Sequence, residues 1–543
     1  MQVALTFARA LFAPLLLATA LAAQSAPSHV WFTWTGDTGT TLCVNFMTHG
    51  EKSVEPRVWW DTEPRAARVA EYRNQARGER MRIDGLADRW IHRVELKDLV
   101  PGARIHLVAG DPVHGLSREH VVRTIPHDDS PLRFVTGGDM GPGAETRHLL
   151  REAARLDPDF AIIGGDIAYA DGNLANVGRW DSWFTYWQEE MVTRDGRSVP
   201  MVLAIGNHEV RGSFLKTPNE APFWYGFFPQ GGSSYFVRRF GANLATWILD
   251  TSHTAPHEGA QTQWLDATLG EHALVPHKVA VYHVPFWPSN RDFEGTYSVA
   301  GRKHWMPLFE KHGIDLAFEN HDHTFKRTHP LRDGKVDPTG IVYLGDGCFG
   351  RPPRPVTYGG RWYLARQGSV LHFWSVEVDA QGMVARAVDD RGKVFDIHPE
   401  SHPEFLGIAC ELGERPVLYT MPKDSIIVSG LAVPGAEWAG GMFEFRFTNP
   451  FAHTVQFSAT VDELPEGVSA VADQLNAVPG GDRPAAVRPG ADLVFRVTLV
   501  TTKPVPADKV KARVRCEVQF NERPPGRAAR SNVNVSVPVS RGN

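Results

Sequence analysis

Apolar and polar positions alternate strictly in two stretches of the chain, and run together in the stretch between them. In the first, Leu42, Val44 and Phe46 alternate with Thr41, Asn45 and Met47. Short apolar runs recur at Arg57-Val58-Trp59-Trp60 and at Ile91-His92-Arg93-Val94-Glu95-Leu96, with turn signals such as Pro101-Gly102 between them. Period-2 runs put one face in a core and one in solvent, so residues 29–126 are predicted to form a small β-sandwich. Near the other end, Phe443, Phe445 and Phe447 alternate with Glu444 and Arg446. Val510, Ala512, Val514, Cys516, Val518 and Phe520 alternate with polar neighbours in the same way. Residues 425–541 are therefore expected to form a second sandwich. Between them, over 131–397, the apolar runs are nearly continuous, as in strands covered on both faces. They interleave with helical spacing at 146–156 and 263–269. The stretch His398-Pro399-Glu400-Ser401-His402-Pro403 opens a predicted linker, 398–424. The fold class that follows is multidomain α+β: a β-sandwich, a central β-sandwich flanked by α-helices, and a further β-sandwich.

The first residues carry a different pattern. Arg9 is followed by the apolar Ala10-Leu11-Phe12-Ala13-Pro14-Leu15-Leu16-Leu17-Ala18 and by Ala20-Leu21-Ala22, an A-x-A-like cleavage site. Residues 1–23 are thus expected to be a signal peptide, and the product to be secreted or periplasmic. No later apolar run reaches the ~18 residues that a membrane span needs, so no transmembrane segment is expected after cleavage. The formal charge of −5 offers no basic excess and hence no nucleic acid-binding signal. The four cysteines, Cys43, Cys348, Cys410 and Cys516, have no C-x-x-C spacing, which excludes a zinc ribbon. Cys410–Cys516 is the first candidate for a disulfide, and a plain core thiol at Cys516 is the alternative.

The central stretch holds the chemistry. Five apolar runs each lead into metal-type ligands. Leu132-Arg133-Phe134-Val135 leads to Gly138-Asp139-Met140-Gly141, and Phe160-Ala161-Ile162-Ile163 to Gly165-Asp166-Ile167-Ala168-Tyr169. Met201-Val202-Leu203-Ala204-Ile205 leads to Gly206-Asn207-His208-Glu209, and Val279-Ala280-Val281-Tyr282 to His283-Val284-Pro285. Ile314-Asp315-Leu316-Ala317-Phe318 leads to His321-Asp322-His323. Ligands collect at the carboxyl ends of buried strands, so motifs far apart in sequence can converge. Carboxylate, imidazole, amide oxygen and phenol together suit transition metals rather than calcium.

The order of these motifs resembles that of the calcineurin-like metallophosphoesterases. The Tyr169 variant within Gly165-Asp166-Ile167-Ala168-Tyr169-Ala170-Asp171-Gly172 is similar to the purple acid phosphatases. The segment Asp98-Leu99-Val100-Pro101-Gly102 with Ile105-His106-Leu107-Val108 resembles a fibronectin III-like domain, which that family also carries, with His106 in place of the usual aromatic. The C-terminal sandwich lies outside the resemblance and is expected to be immunoglobulin-like. The resemblance implies a first metal, iron, on Asp139, Tyr169 and His323, and Asp166 as a bridge. It implies a second, divalent metal (Fe, Zn or Mn) on Asn207, His283 and His321. It further implies that His208 contacts the phosphate or protonates the leaving group, and that Asn207 and His208 line the substrate site. The chain departs from the family at Asn320, where Gly is usual, and at Phe325 and Lys326, where Tyr-Glu is usual. After His283 it lacks the additional histidines of the plant enzymes, leaving Arg291 as a candidate phosphate contact. The expected function is hydrolysis of a phosphate ester substrate, a phosphomonoester, through a metal-activated hydroxide. A phosphodiesterase on the same metal core and a catalytically silent surface-binding protein are the alternatives. The sequence sets no oligomeric state.

Overall fold

The computed structural model describes residues 26–50, 55–345, 347–356 and 361–405. Beyond these it describes 418–419, 426–429, 437–449, 454–462, 464, 466–474, 485–506, 513–520 and 531–536. The expected signal peptide and Cys410 lie outside the described residues, as does the side chain of Cys516. Cys43 and Cys348 are buried free thiols.

The near-continuous apolar runs become strands of two sheets whose residues divide by period 2. In the six-stranded sheet, Met201–Leu203, Phe160–Ile163 and Leu132–Gly137 are parallel neighbours. His372–Val378, Met383–Asp389 and Val394–His398 extend that sheet with antiparallel pairing. In the eight-stranded sheet, Leu244–Ile248, His277–Val281, Leu316–Phe318 and Val342–Gly345 run parallel at the centre. Phe134, Phe160, Ile162 and Val202 of the first sheet meet Ile248, Val279, Val281, Leu316 and Phe318 of the second in one buried core. Their alternating neighbours turn outward. Val135, Ala161, Ile163 and Leu203 pack with Leu149 of the helix Ala144–Ala154 and with Trp180, Trp183, Phe184 and Trp187 of Val177–Glu190. Ala245, Trp247, Ala280 and Ala317 pack with Leu265 and Leu269 of Ala260–Glu271 and Phe309 of Met306–His312. Helix, sheet, sheet and helix form four layers, and both faces of each sheet are covered.

Before this centre lie two antiparallel sheets. One orders His29–Thr33, Leu42–His49, Arg89–Leu96 and Glu79–Met81. The other orders Asn74–Arg77, Arg57–Asp61, Arg104–Asp111 and Gly115–Leu116, with His120–Arg123 on Arg104–Asp111. Their core is continuous with the central one: Trp34 sets its ring edge-on to Phe160 at 6.4 Å and Phe240 at 5.8 Å, and those two rings stack at 3.8 Å. After the centre come two further four-stranded sheets. One is built on Glu437–Thr448 and Asp492–Pro506, the other on Val455–Asp462 and Arg513–Phe520. The stretch expected to be a linker carries the strand Leu418–Tyr419, which pairs with Leu364–Gly368 and so adds to the eight-stranded sheet. A two-residue strand has no periodicity by which to be read. No helix among the described residues is long and apolar enough to cross a membrane.

Candidate metal centre

The parallel strands of both sheets end on one side, and the loops that follow them carry the predicted ligands. The first two loops are laced by backbone bonds: Asp139 N donates to Gly165 O (3.0 Å), Met140 N to Asp166 O (2.9 Å) and Gly141 N to Ile167 O (2.8 Å). Asp139, Asp166, Tyr169, His321 and His323 all have positive φ, between 53° and 78°. A non-glycine residue there costs on the order of 1–3 kcal/mol and persists only where surrounding structure enforces it. The chain turns sharply at the end of each strand, and each turn aims a side chain inward. Gly347 closes over the floor: a Cβ there would stand 1.9 Å from Asp139 Oδ2.

The structure brings together all seven residues of the implied ligand set, in two groups. In one, Tyr169 Oη lies 3.2 Å from Asp139 Oδ1 and 3.1 Å from His323 Nε2, which is itself 2.9 Å from Asp139 Oδ1. In the other, His283 Nε2 lies 3.2 Å from Asp166 Oδ2, 3.2 Å from Asn207 Oδ1 and 3.0 Å from His321 Nδ1. Asp166, His283 and His321 have ligand atoms all within 4.8 Å of one another. The oxygen donors Asp139, Asp166, Tyr169 and Asn207 all follow strands of the six-stranded sheet. The imidazoles His283, His321 and His323 all follow strands of the eight-stranded sheet.

These groups suit cations. His283 Nδ1 lies 2.9 Å from Gly164 O, which fixes its proton on Nδ1. Its Nε2 lone pair then faces carboxylate and amide oxygens that are also acceptors. Lone pairs so aimed repel one another unless a positive charge, a proton on the ring or a metal ion, stands among them. Burial pulls the His283 imidazole down, but the Asp166 and Asp139 carboxylates outweigh it and raise its pKa to about 9. Burial and then the same two carboxylates push the Tyr169 phenol well above its ordinary value. A phenolate here therefore requires a strongly polarising cation.

The residues around these groups hold them in place. Glu209, buried, accepts from three backbone N–H groups, those of Asp166, Ile167 and Gly206, each at 2.8 Å, and so ties two ligand loops together. Asn320 replaces the usual Gly and sends its amide to Tyr282 O at 2.9 Å. Its bulk occupies space above Gly164, where a Cβ would stand 2.0 Å from it. His208 stands at the mouth, its side chain 36% exposed. Its Nδ1 lies 2.5 Å from Asp171 Oδ1, which leaves Nε2 3.9 Å from Asp166 Oδ2. Arg291 is more exposed, and its guanidinium is held 3.4 Å from the buried carboxylate of Asp322. The sequence reading gave no role to Glu209, Asp171 or Asp322. Each is an acid within three residues of a candidate ligand, and that adjacency was the available signal.

Comparison with known proteins shows what the chain is similar to. The calcineurin-like phosphoesterase family model matches residues 107–325. Purple acid phosphatase 15 of Arabidopsis thaliana is 26% identical over 289 residues, 47% of this chain and 53% of that protein. Probable purple acid phosphatase 20 of the same plant is 29% identical over 273 residues, 47% of this chain and 60% of that protein. The chain thus spans little more than half the length of these relatives. Among solved structures, the purple acid phosphatase PPD1 from yellow lupin seeds superposes with a TM-score of 0.58 at 18% identity, over 69% of this chain and 74% of that one. PhoD does so with a TM-score of 0.52 at 11% identity, over 68% and 88%, and at such identities both show the fold alone. Motif order and relatives together make the chain similar to the purple acid phosphatases, with the calcineurin-like phosphoesterase match falling on the residues that carry the candidate ligands.

Proposed function

We propose that the chain is an exported hydrolase of phosphomonoesters that works with two metal ions, iron and a second, divalent ion. The observation that carries this reading is the meeting of the three imidazoles with two buried carboxylates, a phenol and an amide oxygen, in two adjoining groups. Asp139, Tyr169 and His323 would hold one ion, Asn207, His283 and His321 the other, with Asp166 between them. Ions bound there polarise phosphoryl oxygens and lower the pKa of water to supply a nucleophile near neutrality.

The chain's own residues do the rest. Asp171 accepts from His208 Nδ1, which keeps the second ring nitrogen directed at the site. His208 can then hold a proton at Nε2 for the departing alcohol. The buried floor excludes water from one side, and the exposed edges of His208 and Arg291 mark the side from which an ester enters. The fibronectin III-like and immunoglobulin-like sandwiches belong to the same reading, supported by the paired antiparallel sheets on either side of the centre.

The test is metal analysis of the purified protein together with turnover of a chromogenic monoester and diester across pH. Two metals per chain and preferential monoester turnover are expected, with a visible absorption band that Tyr169→Phe removes. Faster diester turnover would replace the monoester reading with phosphodiester hydrolysis. A metal-loaded chain that turns over neither ester would make it a silent binding protein.

A further inference from the structure

We propose that Arg351 binds the phosphoryl group of the substrate at the mouth of the Asp139–Tyr169–His323 group. The proposal rests on the phosphate ester reading above and adds a contact that the motif pattern does not supply. Arg351 follows Gly347-Cys348-Phe349-Gly350, a loop tied down over the first ligand: Phe349 N donates to Gly138 O at 3.0 Å and Arg351 N to Asp139 O at 2.9 Å. Its side chain passes close to Gly141, where a Cβ would stand 3.4 Å from Arg351 Cδ. The guanidinium carbon then lies 4.4 Å from the centre of the Tyr169 ring.

That placement leaves the cation available. A guanidinium stacked on an aromatic face is held by the ring's quadrupole and keeps its N–H donors for other partners. Arg351 Nε is shielded from solvent and makes no hydrogen bond, and among the described residues no carboxylate pairs with the group. Arg291, by contrast, stands beside Asp322, whose carboxylate offsets part of its charge. Ions held by Asp139 and Asp166 would draw a phosphate ester to the floor of the site, and a fixed positive charge at the rim would add to that attraction. The planar fork of an arginine matches two phosphoryl oxygens at once.

The experiment compares wild type, R351M and R351K, all metal-loaded, with inorganic phosphate as the probe by calorimetry, and with monoester kinetics alongside. R351M is expected to bind phosphate on the order of 10- to 100-fold more weakly. Its KM should rise more than its kcat falls, with metal content and melting temperature unchanged. R351K, which keeps the charge without the fork, should fall between the two. Unchanged phosphate affinity in R351M with both metals present would overturn the proposal. Loss of metal from R351M would overturn it as well, by making Arg351 a support of the ligand loop. If the wild type binds phosphate in an Arg351-dependent way yet turns over no ester, the hydrolase reading falls and the assignment of Arg351 stands.

Discussion

Asp166 is the carboxylate of the second group, and the proposed bridge between the two ions. Its Oδ2 lies 3.2 Å from His283 Nε2, its Oδ1 accepts the His208 amide at 2.7 Å, and its backbone is held by Glu209. Burial works against its charge, and the neighbouring His283, His208 and His321 hold its carboxyl well below the usual range. Asp166→Asn keeps the shape and removes the charge, so both metals should weaken together and activity should collapse. Metal stoichiometry checks this, and two tightly held metals in that variant would contradict the bridging assignment. His208 lies outside the inward-facing groups, so His208→Ala should keep both metals. Its loss should cost ~10²–10⁴-fold in kcat on esters with poor leaving groups and less on an ester whose alcohol is strongly acidic. Equal losses on both would assign His208 to holding phosphoryl charge. Asp171→Asn, which removes the partner of Nδ1, should show a weaker version of the same leaving-group dependence.

At the scale of elements, the ligand loops were legible because an apolar run followed by a ligand-type residue is a local signal. The buried supports were less legible, since Glu209 and Asp322 act through backbone amides brought to them by the fold. The helix Val177–Glu190 was missed although Trp180, Trp183, Phe184 and Trp187 fall at i, i+3, i+4 and i+7. The strand Leu418–Tyr419 could not be seen, because its pairing with Leu364–Gly368 is non-local. The first pair of sheets carries a property of its own, in buried histidines. Burial lowers His29 and His92 to about 4 and His120 to about 3. The unfolded chain takes up protons near 6.5 and the folded chain only near 4 and below. Unfolding therefore binds protons in that window, and stability falls as the pH drops through it. The denaturant midpoint should be lower at pH 4.5 than at pH 7. His120→Phe, facing Phe32 at 5.6 Å, should flatten that dependence relative to wild type. An unchanged slope would remove His120 as a source of the acid sensitivity.

At the scale of the whole molecule, the change of period near residue 131 coincides with the start of the strand Leu132–Gly137, but the continuity of the cores on either side of it was not legible. A period shows which face of a strand is buried and is silent on what covers it. Trp34, 1% exposed, belongs to the first pair of sheets yet has its ring against Phe160 and Phe240 of the centre. Trp31 likewise sends its indole N–H to Phe227 O at 3.2 Å. Trp34→Ala should cost about 3–5 kcal/mol. It should also lower the melting of the first sheets and of the metal-bearing sheets together, as a single transition by calorimetry. Two separated transitions would show that the shared core does not couple them.

The split of donors between the sheets, oxygens from one and nitrogens from the other, bears on when in the protein's life the ions arrive. Neither half of the centre offers a complete shell, so a chain still being made, or held unfolded, has no site that retains a transition metal firmly. Ions bound there would act as rivets, set only after both plates are aligned.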